Sequence, residues 1–214
     1  MIKIFFKILI IWAVLPFMQQ GSLLNNSFEF QDGIYLDFKQ VRTNSPIKRS
    51  QIITQLDKTD FDFYEKLLKQ EYITFTDSTG SHRIESDKIW GFSDQGTLFI
   101  NWRGDYAKIL TKGFLGYFVA TEKVTYYQTP TSVVYYDTYP GYPQTTHEMR
   151  QYIINFATGE ILDFSPKSLL LILEKYDPDL YKEYQKLSRR KKKKELFLYL
   201  RKFNEKHKII IPQR

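Results

Sequence analysis

The chain has no cysteine. That excludes disulfides, thiolate metal sites, a cysteine nucleophile and a lipidated cysteine at a cleavage site. Histidine is scarce too. His82, His147 and His207 lie far apart, and none has a partner at metal-ligand spacing, so they read as polar surface. Asp57, Asp60 and Asp62 lack the glycine and closing glutamate of an EF-hand loop and read as capping residues rather than calcium ligands. No nucleophile elbow, phosphate loop or dinucleotide-type glycine pattern is present. The apolar run Ile8–Phe17 falls short of the roughly 20 residues that a membrane-crossing helix needs. These absences predict no cofactor, no metal site and no transmembrane helix in the mature chain. They also leave no catalytic residue to name.

What surrounds that run is more informative. Lys3 and Lys7 precede it and Gln19-Gln20-Gly21-Ser22 follow. A positive start, a short apolar middle and a small-residue end form the pattern of a secretory signal peptide over residues 1–22. Cleavage is expected between Gln19 and Leu24. The expected destination is the periplasm or the outer membrane. An exported chain without disulfides must be held together by its core, which fits a bacterial envelope better than a small eukaryotic secreted domain.

Charge is unevenly placed. The overall net charge is +7. Leu23 to Tyr181 carry 16 basic and 21 acidic residues, while Lys182 to Arg214 carry 13 basic and 3 acidic ones. The body is therefore mildly acidic, and the positive charge belongs to the tail. Aromatic residues make up 17% of the chain, which favours half-buried pleated surfaces and leans the fold toward β structure.

Residues 23–164 read as short strands joined by turns. Phe28, Phe30, Ile34, Leu36 and Phe38 recur at a spacing of two, a half-buried strand pattern. Asn44-Ser45-Pro46 is a turn. Phe61, Tyr64 and Leu68 fall on one side of a short helix between Asp60 and Lys69. Strands are expected over 70–76 and 82–85. The clearest hairpin runs from Lys88 to Trp102, with Gly96 supplying the positive φ of the turn. Trp90 and Trp102 on it are expected in the core, and Leu98, Ile100 and Trp102 share a face. Further strands are expected over 107–110, 114–120, 123–128, 132–137 and 149–156.

After Asp163 the apolar period changes from two to about 3.6 residues. Ser165-Pro166 and Asp177-Pro178 each have the form of a helix start, with a side-chain acceptor followed by a proline that loses no hydrogen bond there. A third helix is expected from about Arg189 to Lys206, and Ile209-Ile210-Ile211 as a strand or anchor. The fold class is α+β: a mostly antiparallel strand-rich region, a small barrel or sandwich over 23–164, then two to three helices within 165–214 packed on it.

Asp32-Gly33-Ile34-Tyr35-Leu36, Asn44-Ser45-Pro46, Ile89-Trp90-Gly91-Phe92 and Tyr152-Ile153-Ile154-Asn155 together resemble a group of uncharacterised exported proteins of Bacteroidetes. An x-Gly-Ile-Tyr start, a Trp-Gly hairpin and a helical segment ending near Phe-Asn, here Phe203-Asn204, recur in that group. The resemblance implies export and a β-then-α fold. It brings no catalytic residues with it.

Two surfaces are candidates for binding. Tyr135, Tyr136, Tyr139 and Tyr142 lie among Pro130, Pro140 and Pro143. Amphipathic rings on a proline-stiffened loop can stack on sugars or peptides, and paired tyrosines in a strand can equally place one ring on each face. Arg189, Arg190, Lys191, Lys192, Lys193 and Lys194 form the strongest charge signal. Export and the lack of interleaved aromatics argue against nucleic acid. The run is either a solvated helix start or a contact for an acidic partner: anionic lipid headgroups, lipopolysaccharide phosphates, another envelope protein, or the acidic β region of the chain itself. The expected function is a non-enzymatic binding or scaffolding module of the cell envelope. The alternative is a hydrolase of glycan or peptide with paired carboxylates, recognisable by two inward-facing carboxyl groups in one cleft.

Overall fold

A computed structural model describes residues 21–127 and 143–212. At its centre is an antiparallel seven-stranded sheet. Its members are β2 (Gly33–Tyr35), β6 (Gly91–Asp94), β7 (Thr97–Trp102), β8 (Asp105–Thr111), β9 (Leu115–Tyr127), β10 (Pro143–Asn155) and β11 (Ile161–Asp163), in the order β11-β10-β9-β8-β7-β6-β2. Most neighbours in space are neighbours in sequence, the arrangement that short turns favour. The hairpin between β6 and β7 turns through Gln95 and Gly96, both at positive φ. Such a two-residue loop matches the twist of the flanking strands, and glycine occupies its second place at no steric cost.

The sheet curls around one core without closing by strand pairing; β11 and β2 are its edges. Leu98, Ile100, Ala107, Ile109, Phe118, Ala120, Tyr152 and Ile154 line the inside. Phe30 stacks on Phe156 across the gap between the two edges, and Phe38 meets both Phe156 and Trp90. Trp90 and Trp102 are half-buried against this core rather than enclosed by it. A two-stranded sheet joins the ends of the described chain. In it β1 (Gly21–Leu23) pairs with β12 (Ile210–Pro212), and Leu24, Ile209 and Ile211 enter the same core. The apolar tail expected near Ile209 is therefore a strand.

Side-chain alternation gives the β9–β10 part of the sheet a second buried face. Phe118 and Tyr152 point inward, while Leu115, Tyr117 and Ile153 point outward beneath the helices α3 (Pro166–Tyr176), α4 (Pro178–Gln185) and α6 (Leu196–Lys206). Ser165 caps α3 by accepting from the Ser168 N–H, and Asp177 caps α4 by accepting from the Leu180 N–H. A third core lies between the β2–β6 edge, helix α2 (Phe63–Leu68) and the sheet of β3 (Ile52–Ile53), β4 (Tyr72–Asp77) and β5 (Gly80–Glu85).

The structure departs from the periodicity reading in several places. Phe28 and Phe30 are buried, but in an extended segment outside any strand, and Phe38 opens helix α1 (Phe38–Thr43), capped by Asp37. Their alternation reflects a chain laid over the core, not a ladder. Helix α2 begins later than expected, so its buried face is Phe63, Tyr64 and Leu67, and Phe61 is 75% exposed. The segments 114–120 and 123–128 are largely one strand, β9. The expected helix from Arg189 to Lys206 breaks at Glu195 into α5 (Arg189–Lys194) and α6, so four helices follow β11. The strand expected over 132–137 lies outside the described residues. Among the described residues no helix is long and apolar enough to cross a membrane.

Candidate functional site

Helix α5 consists of Arg189 to Lys194 alone. Packing at its two ends fixes it in place. The Ser188 hydroxyl caps it by accepting from the Lys191 N–H, and the Tyr184 hydroxyl donates to the Lys192 carbonyl at 2.8 Å. Leu187 and Leu196, immediately outside it, pack into the helical core. The cations are thereby turned outward. Arg189, Arg190, Lys191, Lys193 and Lys194 are exposed and Lys192 is half-buried. None of the six makes an ion pair among the described residues.

Glu195, the residue after α5, makes no ion pair with it among the described residues, and two other acids of the helical layer are engaged elsewhere. Glu183 accepts from Lys202 at 2.7 Å and from the Tyr199 hydroxyl at 2.8 Å, and these bonds hold its carboxyl below the usual carboxylate range. Asp177, 2% exposed, accepts from Lys206 at 2.7 Å and pairs with the His207 ring at 2.9 Å. Burial alone pushes the Asp177 carboxyl up, but the bonds from Lys206, His207 and the Leu180 N–H outweigh it and bring it down to about 2. No acid of the β region pairs with α5 among the described residues either. The first turn of α6 carries two exposed apolar side chains, Phe197 (50% exposed) and Leu198. The Phe197 ring packs edge-on against Tyr117 and Phe164, at centroid distances of 4.8 and 4.6 Å. The result is a six-cation turn beside an exposed aromatic.

The other candidates are dispersed. Tyr135, Tyr136, Tyr139 and Tyr142 lie outside the described residues. Tyr126, just before that stretch, is partly exposed and donates its hydroxyl to Glu148. Asp57 accepts from Thr59, and Asp60 accepts from Lys66 and the Asp62 N–H. The described residues contain no group of ligands able to hold a metal ion. His82 bonds Thr79 and Asp77 at the β4–β5 turn, His147 is exposed on β10 and His207 is spent on Asp177.

Periodicity gave no sign of Glu122, a carboxylate buried on β9. Tyr152 and the Trp102 N–H donate to it, and Arg103 and Arg150 lie at 2.8 and 3.5 Å. The Tyr152 bond, with help from Trp102 and the two guanidinium groups, holds its carboxyl low despite burial. Arg150 also reaches Glu148 at 3.3 Å, and Glu148 is likewise lowered, first by Tyr126 and then by Arg150. Two carboxylates thus share one guanidinium, and both are held ionised. Trp102 on β7, Glu122 on β9 and Tyr152 on β10 are far apart in sequence, and only the packing of the sheet brings them together. A separate cleft of about 460 Å³ between β4–β5 and the β7–β8 hairpin is lined by Glu71, Glu85 and Asp87, all exposed.

No curated protein and no solved structure matches the chain. A family model does, over residues 33–207, from the Gly33-Ile34-Tyr35 strand to just past Asn204. The matched span takes in the sheet, α1, α2 and all four C-terminal helices, so the chain belongs to the family of unknown function DUF6563.

Proposed function

We propose that this protein is an exported, non-enzymatic module of the cell envelope that contacts an anionic lipid surface through α5. One observation carries the reading: six consecutive cations sit on a packed helix without an acidic partner among the described residues, while Lys202 and Lys206 on the next helix each have one. Arg189 with Lys193 and Arg190 with Lys194 are like-charge pairs four residues apart, each destabilising by a few tenths of a kcal/mol, so the arrangement is costly unless something anionic meets it. Exposed Phe197 and Leu198 supply the apolar element that interfacial binding combines with charge. Export rests on the Lys3/Lys7 flank, the short apolar run and the small-residue end that follows it. The carboxylates that share Arg150 do not make a glycosidase pair. A glycosidase needs one carboxyl raised to act as an acid, and Glu122 and Glu148 are both lowered.

The test is sedimentation with vesicles of phosphatidylglycerol and phosphatidylcholine. Each cation near an anionic surface contributes on the order of 1 kcal/mol, and the effect decays over a Debye length of about 8–10 Å. Binding is expected at low salt, much weaker at physiological salt, and lost when all six residues are changed to glutamine. Equal binding by the wild type and the glutamine variant would sink the proposal. So would no binding at any salt, which would leave α5 as a solvated helix or a contact for another envelope protein.

A further inference from the structure

The β9–β10 hairpin runs past the rest of its sheet. β11 pairs with β10 only at Tyr152, Ile153 and Ile154, and β8 pairs with β9 only at Tyr117 and Phe118. Farther out, residues 121–127 and 143–150 pair only with each other among the described residues. Of their described side chains only Glu122 is buried, and Met149 is 81% exposed. A two-stranded ribbon standing alone is marginally stable in water.

The register fixes which way the β10 backbone faces. The Asn155 N–H donates to the Glu160 carbonyl and the Phe164 N–H donates to the Gln151 carbonyl, so the odd-numbered residues of β10 turn their backbone groups to the β11 side. The pairing of β10 with β9 is regular along its whole length, so the same parity holds outward along the strand. Thr145, His147 and Met149 therefore present N–H and C=O groups to an edge that no strand covers among the described residues. All three residues are exposed. Such an edge is a template for another strand, and folded proteins ordinarily blunt it with lysine, proline or a bulge. Here the register has no bulge, residues 144–147 include no lysine, arginine or carboxylate, and proline enters only at the first position, Pro143. Threonine, present at 145 and 146, favours extended pairing.

We infer that this edge pairs with the same edge of a second copy of the chain, antiparallel about a two-fold axis at Thr146, joining two β9–β10 ribbons into one sheet. Phe164 already takes the Gln151 carbonyl, which sets the axis. An axis at His147 would lay Pro143 of the second copy opposite Gln151, whereas an axis at Thr146 stops it opposite Met149. His147 then exchanges backbone bonds with Thr145 of the second copy, and the Met149 N–H donates to its Pro143 carbonyl. The side chains agree with this register. Thr146 meets its own copy, a favourable cross-strand pair. Glu148, held by Tyr126 and Arg150, meets no carboxylate. Met149, the most exposed large apolar side chain of the described residues, covers Pro143. A two-fold contact closes on itself, and the outer edges it leaves belong to β9, where exposed Lys123 discourages further addition. The pairing does not rest on the contact of α5 with lipid.

Sedimentation equilibrium of the mature protein should show a reversible monomer–dimer equilibrium. The chain has no cysteine, so Thr146→Cys supplies its only thiol. Opposite residues of a non-hydrogen-bonded antiparallel pair lie about 4.5 Å apart at Cα, within the span of about 4.4–6.8 Å that a disulfide bridges. Oxidation of Thr146→Cys should therefore give a disulfide-linked dimer on a non-reducing gel. Thr125→Cys, on the far strand of the same ribbon, should stay monomeric on that gel. His147→Pro removes an outward N–H and no bond to β9, so the ribbon should survive, as an unchanged circular dichroism spectrum would show. Its association should weaken about tenfold or more.

A wild-type protein that stays monomeric at every concentration would refute the inference outright and leave the edge to an extended segment of another protein. Equal cross-linking at Thr125 and Thr146 would mean collision without register and would overturn the two-fold pairing. A dimer that His147→Pro leaves unchanged would place the interface elsewhere on the molecule.

Discussion

Asp177 offers the sharpest test of how the helical layer is held. Its carboxylate is buried where α3 ends and α4 begins, and it ties α4 to the end of α6 through Lys206 and His207. In the fold the carboxyl lies at about 2, against an ordinary 3.8. A pKa unit corresponds to about 1.4 kcal/mol, so the charged form contributes about 2 kcal/mol. The sign follows from the direction of the shift. A depressed folded pKa stabilises above the unfolded value, and the contribution is lost as pH falls from about 3.8 through about 2. Asp177→Asn keeps an oxygen for the Leu180 N–H but removes the charge. At pH 7 it should lose about 2 kcal/mol, a fall in Tm of roughly 4–8 °C for a domain of this size. Asp177→Ala should lose about 1 kcal/mol more, since the cap goes too. Urea unfolding of wild type and Asp177→Asn, repeated from pH 7 downward, reads the effect directly. The gap should narrow below about pH 4. No gap at pH 7, or one that persists unchanged at the lowest pH where both proteins fold, would refute the reasoning.

Asn204→Ala removes both hydrogen bonds that clamp α6 to the buried Leu115 backbone, which should cost about 2–3 kcal/mol in urea unfolding; an unchanged midpoint would show that water replaces the amide. A methyl at Gly91 would run into the Phe99 carbonyl of the neighbouring strand, so Gly91→Ala should destabilise by about 1–3 kcal/mol, and a neutral result would mean that β6 and β7 separate freely there. Gly21 pairs with Pro212, so a leader ending at Gln20 leaves β1 whole, whereas cleavage after Leu23 would remove it. N-terminal sequencing of protein from the native host should therefore find a mature start at or before Gly21, and a start at Leu24 would contradict a structural role for β1.

Features that depend on a few consecutive residues were legible from sequence. Ser165-Pro166 and Asp177-Pro178 start helices because a side-chain oxygen and a pre-set φ act within one turn. Gly96 makes its hairpin for a similar reason, since the strained position and the residue that tolerates it are the same. The alternation in β7 located Leu98 and Ile100 on the core face. The same alternation misled at Phe28 to Phe38. Burial at every second residue also occurs where an extended segment crosses a core, and hydrogen-bond partners, not side chains, decide whether that segment is a strand.

The remainder depended on contacts distant in sequence. Asn204 meets Leu115 and Gly21 meets Pro212 only because the chain returns to itself, and no local pattern encodes a partner that far away. Glu122 looked like one acid among many. The register of β9 with β10, and the β7–β8 hairpin, place Tyr152, Trp102 and Arg103 around it and make a buried carboxylate tolerable. The basic run itself was plain in the sequence as charge. That it stays unpaired among the described residues was not, because pairing depends on distance in space. Tertiary packing brings Glu183 to Lys202 and Asp177 to Lys206, and so leaves the six cations of α5 facing outward.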